Sequence, residues 1–269
     1  MNMSILTKEQ QEKIIALIRE CGKIMLSAHD IESNEENISA KSGAGNFVTV
    51  FDVKVQETLI RGILQILPEA RFLAEESASF SEDYSKGICF VIDPIDGTAN
   101  FIHDMRCSAV SVGMLCDNEP VFGAVYAPYI DEMFVASKGE GAYLNGKPIH
   151  TASRTLEEAL VSFGTSPYYR EELADASFDV AKRLFMKTAD IRRSGSAAVD
   201  LCFLACGRTD IFFEALLSPW DYAASYVIVT EAGGEMLQMD GQQISLTSPS
   251  SVLCVTKSVK NEVLSIINN

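Results

Sequence analysis

No apolar run in these 269 residues approaches the length of a membrane span, so the membrane is not an expected partner. Cations are scarce. Against 37 Asp and Glu stand 22 Lys and Arg, a net charge of -15, which argues against nucleic acid or anionic lipid as the primary partner. The same shortage means that an anionic substrate needs local help from metal ions. Histidine is rarer still: His29, His103 and His150 are scattered, and no Cys or His cluster completes a zinc site. The seven cysteines are odd in number, and most sit inside apolar runs. They read as reduced core thiols. The N-terminus is polar and then amphipathic, with no signal-peptide pattern. The expected location is the cytoplasm. There is no internal repeat and no low-complexity tract.

What the chain does have is apolar mass, 47% of its residues, enough for one large domain or two closely packed ones. Its most informative stretch is Asp93-Pro94-Ile95-Asp96-Gly97-Thr98-Ala99-Asn100. The apolar run Ile88–Ile92 before it predicts a buried strand. Pro94 lacks an N–H, so the ladder is expected to stop there. Gly97 allows a sharp turn and a close backbone approach to a ligand. Thr98 is expected to cap a short helix. Two carboxylates and free backbone N–H groups would then face one spot. Carboxylates hold hard divalent cations such as Mg2+, and helix N-terminal N–H groups hold phosphate.

Other acids fall at similar places. Val48–Phe51 is β-prone and ends at Asp52. Arg71–Ala74 is a second short strand ending in Glu75 and Glu76. Three successive strands would thus end in acid, and ligands of α/β proteins gather at strand C-terminal ends. Thr7–Gln10 matches a capping box ahead of a long amphipathic helix. After Phe101 the chain becomes β-rich, with Asn145-Gly146 a strong hairpin signal, and an antiparallel meander is expected. Around Thr151 the pattern changes to alternating strands and helices, which divides the chain into 1–150 and 151–269. Arg192–Ala198 opens one helix there and Pro219-Trp220-Asp221 another. Ile211–Phe213 is expected to be a strand ending at Glu214. Lys41, just before a Gly-rich loop, reads either as a solvated charge or as a phosphate contact.

Four stretches together resemble the inositol monophosphatase family of Mg2+-dependent, lithium-sensitive phosphatases. They are Ala74-Glu75-Glu76-Ser77, Asp93 through Phe101, Arg192 through Ala198, and Pro219-Trp220-Asp221 with Glu231-Ala232-Gly233-Gly234. The resemblance runs nearly end to end. It implies an α/β fold, a layered α-β-α-β-α sandwich, and hydrolysis of a phosphate monoester with two or three Mg2+ ions. Li+ would be an inhibitor. Glu75, Asp93 and the Ile95 carbonyl would hold one ion, and Asp93, Asp96 and Asp221 the second. Gly97 and Thr98 would take phosphate oxygens, with Ile95, Asp96 and Asp221 also beside the substrate. Gly195, Ser196, Ala197 and Glu214 would line the alcohol. Asp52 with Thr98 would orient the attacking water, Glu75 would complete the catalytic set, and Lys41 matches a lysine in the family's flap. A homodimer is expected, from the resemblance and from the apolar meander Ser108–Tyr143.

The chain departs from the family at Ile102–Arg106, at Ser218-Pro219 and at Phe51, which touches the substrate rim and the flap rather than the metal core. Ala99-Asn100-Phe101 resembles the branch acting on sugar-alcohol phosphates, myo-inositol 1-phosphate first. Alternatives are a 3'(2'),5'-bisphosphate nucleotidase, fructose-1,6-bisphosphatase, NADP phosphatase, histidinol-phosphate phosphatase, or a regulatory binding protein on the same fold. For Glu214 a bland alternative is pairing with Arg192 or Arg193 to brace its loop.

Overall fold

The structure is a computed structural model and describes residues 5–28, 38–40, 47–77, 83–84 and 86–268. Helix α1 (Lys8–Leu26) begins at the expected capping box: Thr7 accepts from Gln10 N–H, and the Gln10 side chain accepts from Thr7 N–H. Ile14, Ile18, Cys21 and Met25 form its buried stripe. Strands β1 (Ile38–Ala40) and β2 (Phe47–Thr49) pair antiparallel.

Val50 and Phe51 are not strand residues, and Asp52 does not end a strand. Helix α2 (Val50–Ile66) starts at a second capping box, in which Thr49 Oγ1 accepts from Phe51 and Asp52 N–H while Asp52 accepts from Thr49 N–H. That reciprocal pair outweighs the β propensity of Val48–Phe51, because it satisfies N–H groups that a helix start would otherwise orphan.

The first sheet has the order β3 (Arg71–Ala74), β4 (Ile88–Asp96), β5 (Ala109–Cys116), β6 (Glu119–Ala127), β7 (Glu132–Ser137), β8 (Gly141–Leu144), β9 (Lys147–Ile149). β3 and β4 are parallel, and the rest is the expected meander. The β4 ladder does not stop at Pro94. It shifts between Asp93 and Asp96 and resumes with Asp96 opposite Ala109. A bulge absorbs the missing N–H and bends the strand. Helix α3 (Thr98–Ile102) follows, with Gly97 at φ 84° as its cap. Thr98 is therefore the first helical residue and not the cap.

The second sheet has the order β11 (Asp190–Arg192), β10 (Leu160–Phe163), β12 (Ile211–Leu217), β14 (Ser250–Val255), β13 (Glu235–Leu237). β12 runs past Glu214 through a bulge to Leu217, so Glu214 lies inside a strand. Its helices are α4 (Arg170–Phe185), α5 (Ala197–Ala205), α6 (Pro219–Glu231) and α7 (Lys260–Ile267).

Three apolar clusters define the layers. One joins α1 and α2 to one face of the first sheet. The largest sandwiches α5 and α6 between the two sheets. The third packs α4 and α7 on the outer face of the second sheet. The result is the expected α-β-α-β-α order. α6 can sit backbone to backbone on the first sheet because Gly113 and Gly123 face it. A Cβ at Gly123 would stand 2.1 Å from Ala224 O. This close approach brings Asp221, at the start of α6, to the acidic end of β4.

Candidate active site

The first three acids to consider come from two elements of distant sequence. Asp93 and Asp96 flank the β4 bulge, and Asp221 is in the first turn of α6. One carboxylate oxygen from each lies within 4.8 Å of the others. Each carboxylate is also anchored. Ile95 N–H donates to Asp93 Oδ1 (3.0 Å), and Ser218 N–H donates to Asp221 Oδ2 (2.7 Å). Ala198 N–H donates to Asp96 Oδ2 (3.1 Å), and the Ser196 hydroxyl donates to the same oxygen. Asp96 thus sits at the N-terminus of α5, where the backbone dipole favours an anion.

Burial pushes all three up. Asp93 and Asp221 are held well above the ordinary carboxylate range, first by desolvation and then by the charges of Glu75 and Asp96; desolvation with the Glu75 charge raises Asp96 to about 7, against the lowering effect of its bonds to Ser196 and Ala198. Glu75 opens the turn after β3 and lines the same cavity. Three acids packed so closely, with the Glu75 charge beside them, repel one another unless a cation is among them. The donor set is all oxygen, the chemistry that suits Mg2+, so the residues present fit the implied metal.

The cavity has a volume of about 880 Å3, within the ~300–1,000 Å3 of small-molecule clefts. Glu75, Asp93, Ile95, Asp96, Gly97, Thr98, Gly195, Ser196, Ala197, Glu214 and Asp221 all line it. Asp52 lies beneath, fully buried. The Thr98 hydroxyl is its link to the cavity, 3.4 Å from Asp52 Oδ1 and 3.1 Å from Ile95 O. Burial raises Asp52 to about 7, against the lowering effect of its bonds to Thr49. Lys41, and with it the proposed flap, lies outside the described residues.

Glu214 is buried, and its Oε1 accepts from Ser166 N–H at 2.7 Å. Desolvation raises it to about 7. Arg192 instead bonds Asp190, and Arg193 bonds Thr165 at 3.1 Å. Glu214 thus holds its loop through Ser166, and the Arg193 charge acts on it without a direct bond.

Asp200 and Ser166, which no sequence motif marked, also line the cavity, as does Asn100 of the Asp93–Asn100 stretch. Asp200 is buried and raised to about 7, chiefly by desolvation. A first-turn acid in the helix after Ser194-Gly195-Ser196 was the available signal, since anions are favoured there.

The sequence profile of the inositol monophosphatase family matches residues 7–269. The chain belongs to this family. Inositol monophosphatase 2 of Solanum lycopersicum is 37% identical over 211 residues, covering 77% of this chain and 80% of its own. Nus factor SuhB of Escherichia coli K12 is 35% identical over 217 residues, 80% of each chain. The solved inositol monophosphatase of Thermotoga maritima superposes with a TM-score of 0.85 at 29% identity and covers 97% of both chains. The protein is accordingly a phosphomonoester hydrolase on the fold the sequence implied. Among the described residues, no helix is long and apolar enough to cross a membrane.

Proposed function

We propose that the protein is an Mg2+-dependent hydrolase of sugar-alcohol monophosphates, with myo-inositol 1-phosphate as the leading substrate. The observation that carries this is the convergence of Asp93, Asp96 and Asp221 beside the Gly97 turn. Glu75, Asp93, the Ile95 carbonyl, Asp96 and Asp221 would hold two or three Mg2+ ions. When bound, Mg2+ neutralises phosphate charge and makes water more acidic.

The remaining steps belong to side chains and backbone. The left-handed Gly97 turns the Gly97 and Thr98 N–H groups toward phosphate oxygens. Thr98 gives its own hydrogen to Asp52, which leaves a lone pair to orient the attacking water. Asp52, poised near neutrality, receives the proton. Gly195, Ser196 and Ala197 line the alcohol, with Glu214 behind them. No cysteine or histidine nucleophile enters.

Ala99-Asn100-Phe101 and the inositol monophosphatase relatives support the polyol over the bisphosphate nucleotidase, fructose-1,6-bisphosphatase and NADP phosphatase alternatives. A panel of these phosphates with Mg2+ tests the choice. The reading fails if a bisphosphate is turned over with the highest kcat/KM. Inhibition by Li+ is expected in the same assay. The E. coli relative named as a Nus factor favours a second reading, a protein-partner role alongside hydrolysis. A homodimer is expected from the resemblance. Most of the meander's apolar side chains are covered within the chain by α1, α2, α5 and α6, so they do not by themselves call for a partner. A monomer mass in light scattering at micromolar concentration would count against the dimer. Cys21, Cys89, Cys202 and Cys254 are buried, as core thiols would be, and the proposed location is the cytoplasm.

A further inference from the structure

Ser194, Asp200 and Asn100, which no step above uses, form a polar network with Ser196 in the cavity wall. Ser194 Oγ accepts from Ser196 N–H (3.1 Å) and has two acceptors within donating distance, Asp200 Oδ2 (2.8 Å) and Ser196 O (3.1 Å). Ser196 caps α5 through its own hydroxyl, which also donates to Asp96 Oδ2. On the other side of the loop, the Asn100 amide nitrogen donates to Ser194 O (2.9 Å) and to Cys107 O (2.6 Å). A Cβ at Gly195 would stand 3.0 Å from Asn100 Oδ1, and one at Gly97 would stand 3.1 Å from Gly195 O. The 194–196 loop is thus held between Asn100 and Asp200, against the turn that follows the metal motif.

A hydroxyl has one hydrogen. Two acceptors compete for it, Asp200 Oδ2 at 2.8 Å and Ser196 O at 3.1 Å; only the bond to Asp200 ties the 194–196 turn to α5. Asp200 Oδ2, the nearer of the two, takes that hydrogen and leaves Ser194 Oγ a lone pair for Ser196 N–H. Ser196 is then oriented to donate to Asp96 Oδ2, and the other Asp96 oxygen remains for a cation. We propose that Asp200 is a positioning residue: through Ser194 and Ser196 it orients Asp96 and so sets the affinity of the site for Mg2+, without touching the ion. This rests on the metal reading above. Groups that orient metal ligands from behind typically change affinity 10–100-fold when removed.

The structural reason to separate position from charge is that an amide oxygen accepts the Ser194 hydrogen as a carboxylate does. Calorimetric titration of Mg2+ into metal-free protein reads affinity without turnover. Asp200→Ala and Ser194→Ala are expected to raise the Mg2+ Kd about tenfold or more. Asp200→Asn is expected to restore it to within about threefold of wild type. Near-ultraviolet circular dichroism checks that each variant is folded, and Ser194→Ala, which only deletes one oxygen, carries the test if Asp200→Ala does not fold. An unchanged Kd in a folded Ala variant overturns the proposal. Equal loss in Asp200→Asn and Asp200→Ala also overturns it, because the charge would then be what matters. Wild-type protein that takes up no Mg2+ overturns the metal reading, and this inference with it.

Discussion

The Thr98 hydroxyl lies 3.4 Å from Asp52 Oδ1, across 46 residues of chain. It joins the first turn of α2 to the turn after β4, and it is the path from a buried carboxyl to the cavity. Removing either partner should cost turnover rather than binding. Thr98→Ala and Asp52→Asn are expected to lower kcat about a hundredfold or more, with KM little changed, in the range of general acid–base effects. Thr98→Ser should retain most activity. Steady-state kinetics on the three variants checks this, and a loss confined to KM would contradict it.

Metal-free protein should lose stability as pH rises. Asp52, Asp96 and Asp200 move from 3.8 to about 7 in the fold, and Glu214 from 4.5 to about 7. Raised groups hold protons in the folded state that the unfolded chain has released, so their contribution is present below pH 4 and lost as pH passes through 7. Mg2+ competes with the protons at Asp96, so its stabilisation should grow over the same window. Thermal melts with and without Mg2+ between pH 5 and pH 8 read the difference. A Tm increment that shrinks toward pH 8 would contradict the account.

Asp93→Asn should abolish turnover while raising the Tm of the metal-free protein. The side chain is desolvated and faces Glu75, Asp96 and Asp221, so folding without Mg2+ must either bury its charge or take up a proton, a cost that an amide does not carry. The same change takes a ligand from both expected ion positions. Circular dichroism melts accompany the assay. Wild-type activity at saturating Mg2+ would refute the assignment.

These residues differ in how visible they were before the fold. The acidic cluster was legible in part: Asp93 and Asp96 sit in a strand–turn motif that a short pattern expresses, whereas only the family resemblance put Asp221 beside them. Asp52 was read as a strand end because Val48–Phe51 is β-prone; the Thr49–Asp52 capping box, local but only four residues long, decided otherwise. The continuation of β4 past Pro94 depends on a bulge against β5, and that of β12 past Glu214 on a bulge against β14. Bulges are set by the partner strand, which no short window contains. Asp200 escaped notice because its meaning comes from Ser194 and from Asp96 across the layer.

Glu214 sets up a test of recognition against bracing. Its Oε1 holds the Ser166 N–H, and a Cβ at Gly164 would stand 1.8 Å from Oε2. Glu214→Gln keeps an acceptor for Ser166 but removes the charge that substrate hydroxyls would meet. If Glu214 reads the alcohol, kcat/KM for a polyol monophosphate should fall about tenfold or more relative to a simple aryl phosphate, since a hydrogen bond to a charged group is worth roughly 1.5–3 kcal/mol. Equal losses on both substrates would assign Glu214 to bracing alone.

The central claim is that the acidic cluster works only with Mg2+. Phosphate release from myo-inositol 1-phosphate by chelator-treated protein, followed as Mg2+ is added back, measures this most directly. The account predicts no release above background without the ion and recovery on its return. Turnover that survives exhaustive chelation would contradict it.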